Sequence, residues 1–245
     1  MQFEDRKLKI LELIDAHGAL SFKKLSEKCN VSEATIRRDL SQLEKENLLV
    51  RFRGGARKVS DVVEKTMNTK QYMNIKEKKI IGEFASKYIE PNELIFIGSG
   101  STTLALIDSI QDTSITVITN GIPHAEALNK KSINTFLLCG FFKKNIEALV
   151  GKETIKLLST FHFDRAFIGV NGISADLDIL SADEYEHEIK SLAIKNSKKI
   201  HVLADHSKFN KTAMYSIPST SIKGLSLITD LIKDGFEKYS NILKT

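Results

Sequence analysis

Three groups of side chains in this sequence could do chemistry on a polyanion or a sugar. The first is a cluster of hydrogen-bond donors, Thr35, Arg37, Arg38 and Ser41, with the small Ala34 among them. Arginine can donate two hydrogen bonds to a guanine edge, while Thr and Ser reach bases or phosphates. The second comprises Ser99-Gly100-Ser101-Thr102-Thr103, Asn120-Gly121 and Asn171-Gly172. Glycines let the backbone approach closely, and exposed amides and hydroxyls at a helix start favour an anion. Asp205 and Lys208 join this group. The carboxylate could accept from a sugar hydroxyl, and the ammonium could balance a phosphate as a point charge. The third is the acidic run Asp183, Glu184, Glu186 and Glu188 with His187. A carboxylate base beside a phosphate could isomerise a sugar. Glu184, Glu188 and neighbouring Lys190 also have the spacing of a solvated helix face, and no catalytic residue is assigned.

Other chemistries are disfavoured. Cys29 and Cys139 lie far apart, with no paired-cysteine motif and no histidine cluster beside either, so they read as reduced thiols and not as a metal site. The Ser99–Thr103 loop carries no Gly-Lys-Ser/Thr, and it lacks the glycine spacing of a dinucleotide site. No cofactor and no metal are expected. No stretch approaches the roughly 20 apolar residues that span a bilayer, so no membrane partner is expected. The charged segment Met1–Ile10 lacks the apolar run of a secretory signal, and a cytoplasmic location is the expectation.

Charge points to where the polyanion would sit. The chain carries a net +5, yet residues 1–60 hold 13 Lys or Arg against 9 Asp or Glu, and the remainder holds 23 against 22. The positive excess therefore lies in the first quarter, as in a small polyanion-binding module joined to a nearly neutral partner.

The elements that must position these groups follow from periodicity. Leu8, Leu11 and Ile14, with Phe3 or Lys7 one turn earlier, predict a helix over Arg6–Ala16, ended by His17-Gly18. Ser21 is an N-cap candidate for a short helix that carries Leu25 inward and ends near Cys29. Ser32 is a second N-cap, opening a helix at Glu33. At about 100° per residue, Ile36, Leu40 and Leu43 form its buried stripe, while Ala34, Arg38 and Ser41 face away, flanked by Arg37 and Thr35. Helix, turn and such a helix make a helix-turn-helix with the recognition helix second. Residues 47–58 then read as a β-wing, with Gly54 and Gly55 at its turn and Arg51, Arg53 and Arg57 placed to lie along phosphates.

At this point the sequence resembles the DeoR family of bacterial regulators of sugar metabolism. The resemblance rests on Val31-Ser32-Glu33-Ala34-Thr35-Ile36-Arg37-Arg38-Asp39-Leu40, on Leu43 and on the Gly54-Gly55-Ala56 of the wing. Arg53 stands where the family usually has His.

Residues 59–75 are polar and aperiodic and are expected to connect a winged helix-turn-helix domain at 1–58 to a sensing and oligomerisation domain at 76–245. A helix is predicted over Lys76–Ile89, with either Ile80, Phe84 and Tyr88 or Ile81, Ala85 and Tyr88 inward. Beyond it, apolar runs at 94–97, 115–119, 135–139, 166–170, 200–204 and 225–229 alternate with helical patterns at 102–110, 123–130, 151–159, 184–196 and 233–242. This alternation predicts an α/β domain with a largely parallel sheet, whose ligands bind beyond the carboxyl ends of the strands.

The resemblance continues through Glu77-Lys78, Gly100-Ser101-Thr102, Thr119-Asn120-Gly121, Val150-Gly151, Asp164 to Gly169, Asp205 with Lys208, and Thr229-Asp230. Gly98 stands where many members have Asp, and Cys139-Gly140 replaces a common Gly-Gly. Leu180 to Tyr185 looks closer to the lactose or tagatose-phosphate branch. The resemblance implies a ribose-5-phosphate-isomerase-like sensor fold and a phosphorylated sugar effector. The Ser/Thr loop and Lys208 would hold the phosphate, with Asn120 and Asp205 facing the sugar. It further implies double-stranded operator DNA as partner and repression of a sugar-utilisation operon. A homodimer or homotetramer is expected, because paired recognition helices need two half-sites. An isomerase with an accessory basic domain, and an activator of the same architecture, are the alternatives.

Overall fold

The computed structural model describes residues 2–46, 48–58 and 66–245. The predicted start of the wing at Asn47 and the first part of the predicted connection, 59–65, lie outside these residues. The chain divides into two compact units, Met1–Ile75 and Lys76–Thr245.

The first unit runs α1 (Phe3–His17), β1 (Ala19–Ser21), α2 (Phe22–Cys29), α3 (Glu33–Lys45), β2 (Val50–Phe52), β3 (Gly55–Arg57) and α4 (Met67–Gln71). Its core is the predicted stripe of α3, Ile36, Leu40 and Leu43, closed by Ile10 and Leu25, all at 0% exposure. On α1 the buried face is Lys7, Ile10, Leu11 and Ile14, and Leu8, expected inward, is exposed. Two ion pairs tie α1 to the end of the core. Asp39 is buried and takes two bonds from Arg6, Nε–Oδ2 at 2.7 Å and Nη2–Oδ1 at 3.0 Å. Lys7 Nζ lies 2.6 Å from Glu46 Oε2. The Asp39 hydrogen bonds hold the Arg6 guanidinium above its ordinary pKa.

The wing gains a strand that sequence periodicity did not show. β1 pairs antiparallel with β3, giving the order β1-β3-β2 with Leu20 opposite Ala56 and Ser21 opposite Gly55. A Cβ on Gly55 would collide with the Leu20 carbonyl, so only glycine fits this register.

The predicted connection is also corrected. Residues 66–71 form a capped helix, with Thr66 Oγ1 accepting from Thr69 N at 3.2 Å. Met67 is buried, and Tyr72 packs on the core of the first unit with Lys7 Nζ 4.5 Å from its ring centroid. The segment is polar by composition, but Met67 is withdrawn from solvent and Tyr72 closes one side of the small core.

The second unit begins with α5 (Ile75–Ser86), which buries Ile81 and Ala85 and leaves Ile80 outward. There follow β4 (Leu94–Ile97), α6 (Ser101–Ser109), β5 (Thr116–Thr119), α7 (Ile122–Lys130), β6 (Asn134–Leu137), β7 (Phe141–Lys143), β8 (Ala148–Val150) and α8 (Lys152–Leu158). The chain continues through β9 (Phe163–Gly169), β10 (Gly172–Ile173), β11 (Ile179–Ser181), α9 (Glu184–Lys195), β12 (Ser197–Leu203), a 3₁₀ turn at His206–Lys208, β13 (Tyr215–Ile217), β14 (Leu225–Thr229) and β15 (Ile242–Lys244).

The main sheet is parallel and seven-stranded, in the order β15-β14-β12-β9-β4-β5-β6. The six predicted apolar runs are six of its strands. The seventh corrects an expectation. No helix forms over 233–242; Gly235 takes φ +88°, Phe236 packs against Phe209, and the chain enters β15 beside β14. Two antiparallel additions, the β7–β8 hairpin and the small sheet β10-β11-β13, come from runs too short to alternate visibly.

At the amino end of the sheet, Arg165 is 1% exposed and makes four hydrogen bonds. It donates to both Glu93 oxygens at 2.9 and 2.7 Å, to Glu90 Oε1 at 3.0 Å and to His201 Nε2 at 2.9 Å. Arginine can only donate, so His201 must accept at Nε2 and donate from Nδ1 to Ser226 Oγ, 2.7 Å away. Burial, with Arg165 and Lys199 nearby, pushes the His201 pKa down to about 4.

Candidate nucleic-acid interface and anion crevice

The outer face of α3 is built from the cap outward. Ser32 Oγ accepts from Thr35 N at 3.2 Å and sits 2.9 Å from Thr35 Oγ1, so both hydroxyls serve the helix start. Ser21 caps α2 in the same way, accepting from Lys24 N at 3.3 Å. Ala34 is exposed and Ser41 half-buried beyond this cap. Arg38 is exposed and forms no ion pair among the described residues. Arg37 is exposed too, but oriented: its guanidinium carbon lies 4.0 Å from the Phe22 ring centroid, and Nη2 lies 3.4 Å from Glu33. Stacking on a buried ring removes rotamer freedom before any partner arrives. Sequence reading assigned Phe22 no part in this face.

The wing divides its cations. Arg53 and Arg57 are exposed, and the tip is anchored by Phe22 N donating to Gly54 O at 2.9 Å. Gly54 sits at φ +107°, where a side chain would strain the turn. Arg51, expected on phosphate, lies beside Glu44. Its amide donates to Glu44 Oε1 at 3.0 Å and its guanidinium lies 3.9 Å from Oε2.

In the second unit, strand order locates the crevice. β4 connects onward to β5 on one side, while β9 connects to β12 on the other, so the order reverses between β4 and β9. Ligands in such sheets bind at that reversal. Gly98 and Ser99 after β4, Asn120 after β5 and Gly169 at the end of β9 line a crevice there, with Glu186 and Lys190 of α9 opposite. Ser99 N donates to Asn120 Oδ1 at 3.0 Å, and Asn120 Nδ2 donates to Ser99 Oγ at 3.3 Å and Leu149 O at 3.2 Å. These bonds join two segments of the second predicted group into one wall. Asn171 reaches the crevice through Lys190, whose Nζ lies 3.3 Å from Asn171 Oδ1, 3.2 Å from Ser181 Oγ and 3.1 Å from Glu186 Oε2.

Sequence reading named Glu186 only as an available carboxylate and Lys190 only beside a solvated helix face, and assigned neither to this crevice. Their four-residue spacing looks like a solvated pair, yet both are less than a tenth exposed, because the small sheet covers that face of α9. Glu184 and Glu188, by contrast, are exposed.

Other predicted residues support the loops from within. Thr103 is 0% exposed, its Oγ1 2.6 Å from Gly98 O and 3.0 Å from His124 Nε2. It staples the loop and does not face the crevice. Thr102 is also buried, and Ser101 is half-buried at the start of α6. Gly100 takes φ +154° as the cap of α6. Gly121 leaves room for His124, whose ring a Cβ would strike. Burial pushes the His124 pKa down to about 4. Gly172 pairs with Leu180 and packs on Lys211, so it is a strand residue and not an open turn.

Asp205 and Lys208 lie at the end of β12, as predicted, with a third group that sequence reading quoted without a role. Burial would raise the Asp205 carboxyl, but Lys208, the Ser207 hydroxyl and the buried Lys78 of α5 outweigh it and hold the group below its ordinary pKa. Among the described residues no cluster could hold a metal, and no helix is long and apolar enough to cross a membrane.

Comparison with known proteins agrees with this division. Residues 6–62 match the DeoR-like helix-turn-helix domain and residues 73–231 the DeoR C terminal sensor domain. A Bacillus subtilis regulator named FruR is 37% identical over 84% of this chain and 83% of its own length. The lactose phosphotransferase system repressor of Staphylococcus epidermidis is 35% identical over 84% of each chain. The glycerol-3-phosphate regulon repressor of Escherichia coli is 31% identical over 87% of this chain and 85% of its own. Ribose 5 phosphate isomerase A from Neisseria gonorrhoeae overlaps 54% of this chain and 52% of its own at 20% identity, with a TM-score of 0.40. With both of its units matched and relatives named as transcriptional regulators across most of its length, the chain belongs to the DeoR family of helix-turn-helix transcriptional regulators.

Proposed function

We propose that the chain is a cytoplasmic repressor of a sugar-utilisation operon that binds operator DNA as a homo-oligomer and is released by a phosphorylated sugar. Arg37 and Arg38, with Ala34, Thr35 and Ser41, read base edges, and Arg53 and Arg57 track phosphates. The effector occupies the crevice between β4 and β9. Its phosphate is held by the Ser99 loop and the start of α6, and Lys190, Lys208 and Lys78 supply positive charge at the carboxyl ends of the strands. Asn120 and Asp205 take the sugar hydroxyls.

The observation that carries this reading is Lys190, a buried ammonium at the reversal of strand order, held beside Ser99 and Asn120 by neutral oxygens and one carboxylate. A buried cation costs several kcal/mol of solvation unless it is paired; Glu186 pairs it in the free chain, and an anionic occupant of the crevice would compete with that carboxylate for the ammonium. The names of the lactose and glycerol-3-phosphate repressors fit such a ligand. Effector binding need shift the balance between DNA-competent and incompetent states by only about 1–3 kcal/mol.

The test is a thermal-shift panel of tagatose 6-phosphate, fructose 1-phosphate, glycerol 3-phosphate and inorganic phosphate, followed by operator release measured by fluorescence anisotropy. One phosphorylated sugar should raise the melting temperature and weaken DNA binding, and Lys208→Ala should abolish both responses while leaving DNA affinity in place. A panel without any shift, or an unaltered response in Lys208→Ala, would overturn the effector assignment.

A further inference from the structure

The bare edge of the large sheet shows where a second copy would attach. β6 pairs with β5 on one side only. Four of the ten large apolar side chains exposed among the described residues fall within seven positions of this edge: Phe136 at 44%, Leu137 at 36%, Phe141 at 70% and Phe142 at 47%. The other six are spread over the chain, which is ordinary for a protein surface. Phe136 and Leu137 are neighbours in one strand, so their side chains leave on opposite faces, and each is only partly covered, Phe136 by Phe161.

Protein edges that stay in water carry charged side chains, proline or a bulge to prevent pairing. This one carries none of the residues that would do so. Positions 132–142 contain no Lys, Arg, Asp, Glu or Pro. The flanking lysines are committed elsewhere: Lys131 Nζ donates to the Asp108 and Ile110 carbonyls at 2.7 and 3.0 Å, and Lys143 pairs with Asp183 at 2.7 Å. An apolar edge without a protecting charge is a surface that is covered in the working protein.

We propose that a second copy of this chain docks edge to edge on β6 and the adjoining β7–β8 hairpin, related by a two-fold axis. Self-pairing satisfies the edge because an antiparallel strand offers its own copy matching donors and acceptors. The patch has no charge, so two copies meet without repulsion, and a charged partner would gain no ion pair. At about 200 Å² for a large side chain, the four exposures amount to roughly 400 Å², about half of what one partner contributes to a standard interface. The strand backbone and the rim supply the rest. The proposal rests on the operator reading above for its demand for paired recognition helices.

The experiment uses the full chain. Sedimentation equilibrium at micromolar concentration should give a dimer or tetramer for the native chain. Phe141→Asp and, separately, Phe136→Asp should weaken self-association at least tenfold, with circular dichroism and melting of the monomer preserved. Amide exchange over 134–142 should slow as concentration rises. A native chain that stays monomeric removes the paired-copy reading altogether. An oligomer that survives both substitutions, or exchange that ignores concentration, overturns this surface alone and turns the search to another partner for it.

Discussion

Arg165 at the amino end of the sheet and Arg38 on the outer face of α3 put one side chain to opposite uses. Arg165 is sealed at 1% exposure, with Glu93, Glu90 and His201 taking its donors. Arg38 is exposed, and its helix keeps its acidic and apolar residues on other faces. A guanidinium buried with four hydrogen bonds made inside the fold contributes to folding and can contribute nothing to a partner. One left open contributes almost nothing to folding and is available to DNA. Arg37 lies between these limits, exposed and loosely paired with Glu33 but aimed by Phe22.

Four substitutions or conditions would break or sharpen this contrast. The largest effect is expected for Arg165→Met, which strands Glu93 in the interior and should cost about 3–5 kcal/mol in urea unfolding. Stability within experimental error of the native chain would mean that the amino-end network is not structural. Acid should act next. His201 and His124 have folded pKa values of about 4 against an ordinary 6.5, so the unfolded chain takes up their protons first. The stability they contribute is full above pH 6.5 and is lost as pH falls toward 4, at about 3 kcal/mol per histidine. Melting temperatures across that window should fall, and a flat profile would contradict the buried neutral assignment.

A smaller effect, confined to DNA, is expected for Arg38→Ala. Operator affinity should drop by about 1–3 kcal/mol with relaxed sequence preference, and unfolding should move by less than about 0.5 kcal/mol. Unchanged affinity in the folded variant would remove Arg38 from the reading surface. Arg51→Ala is the smallest. With its guanidinium already on Glu44, it should change operator binding and stability by less than about 1 kcal/mol each, and a loss equal to that of Arg38→Ala would show that the Glu44 pair opens on DNA.

Much of this contrast was legible in the sequence because helix periodicity depends only on near neighbours. The inward stripe Ile36, Leu40 and Leu43 and the outward Arg38 follow from the 3.6-residue repeat alone, as do the six main strands from their apolar runs. What failed depended on distant chain. The four-residue spacing of Glu186 and Lys190 is the same for a solvated face and a buried one, and the covering strands come from 172–173, 179–181 and 215–217. Thr103 carries suitable chemistry, but its contact with His124 decides where it is directed. β1 has three residues, too few for alternation to register. The predicted last helix lost to Gly235 and to the pairing of Ile242 with Leu227.

The short helix α4 sets a practical limit on dissecting the molecule. A fragment cut after the wing, at Lys58, would lose Met67, Tyr72 and Met73 and bare the greasy side of Leu11, Ile14 and Leu48 to water. Such a truncation would be prone to clumping, whereas one carried through Ile75 would keep its own lid.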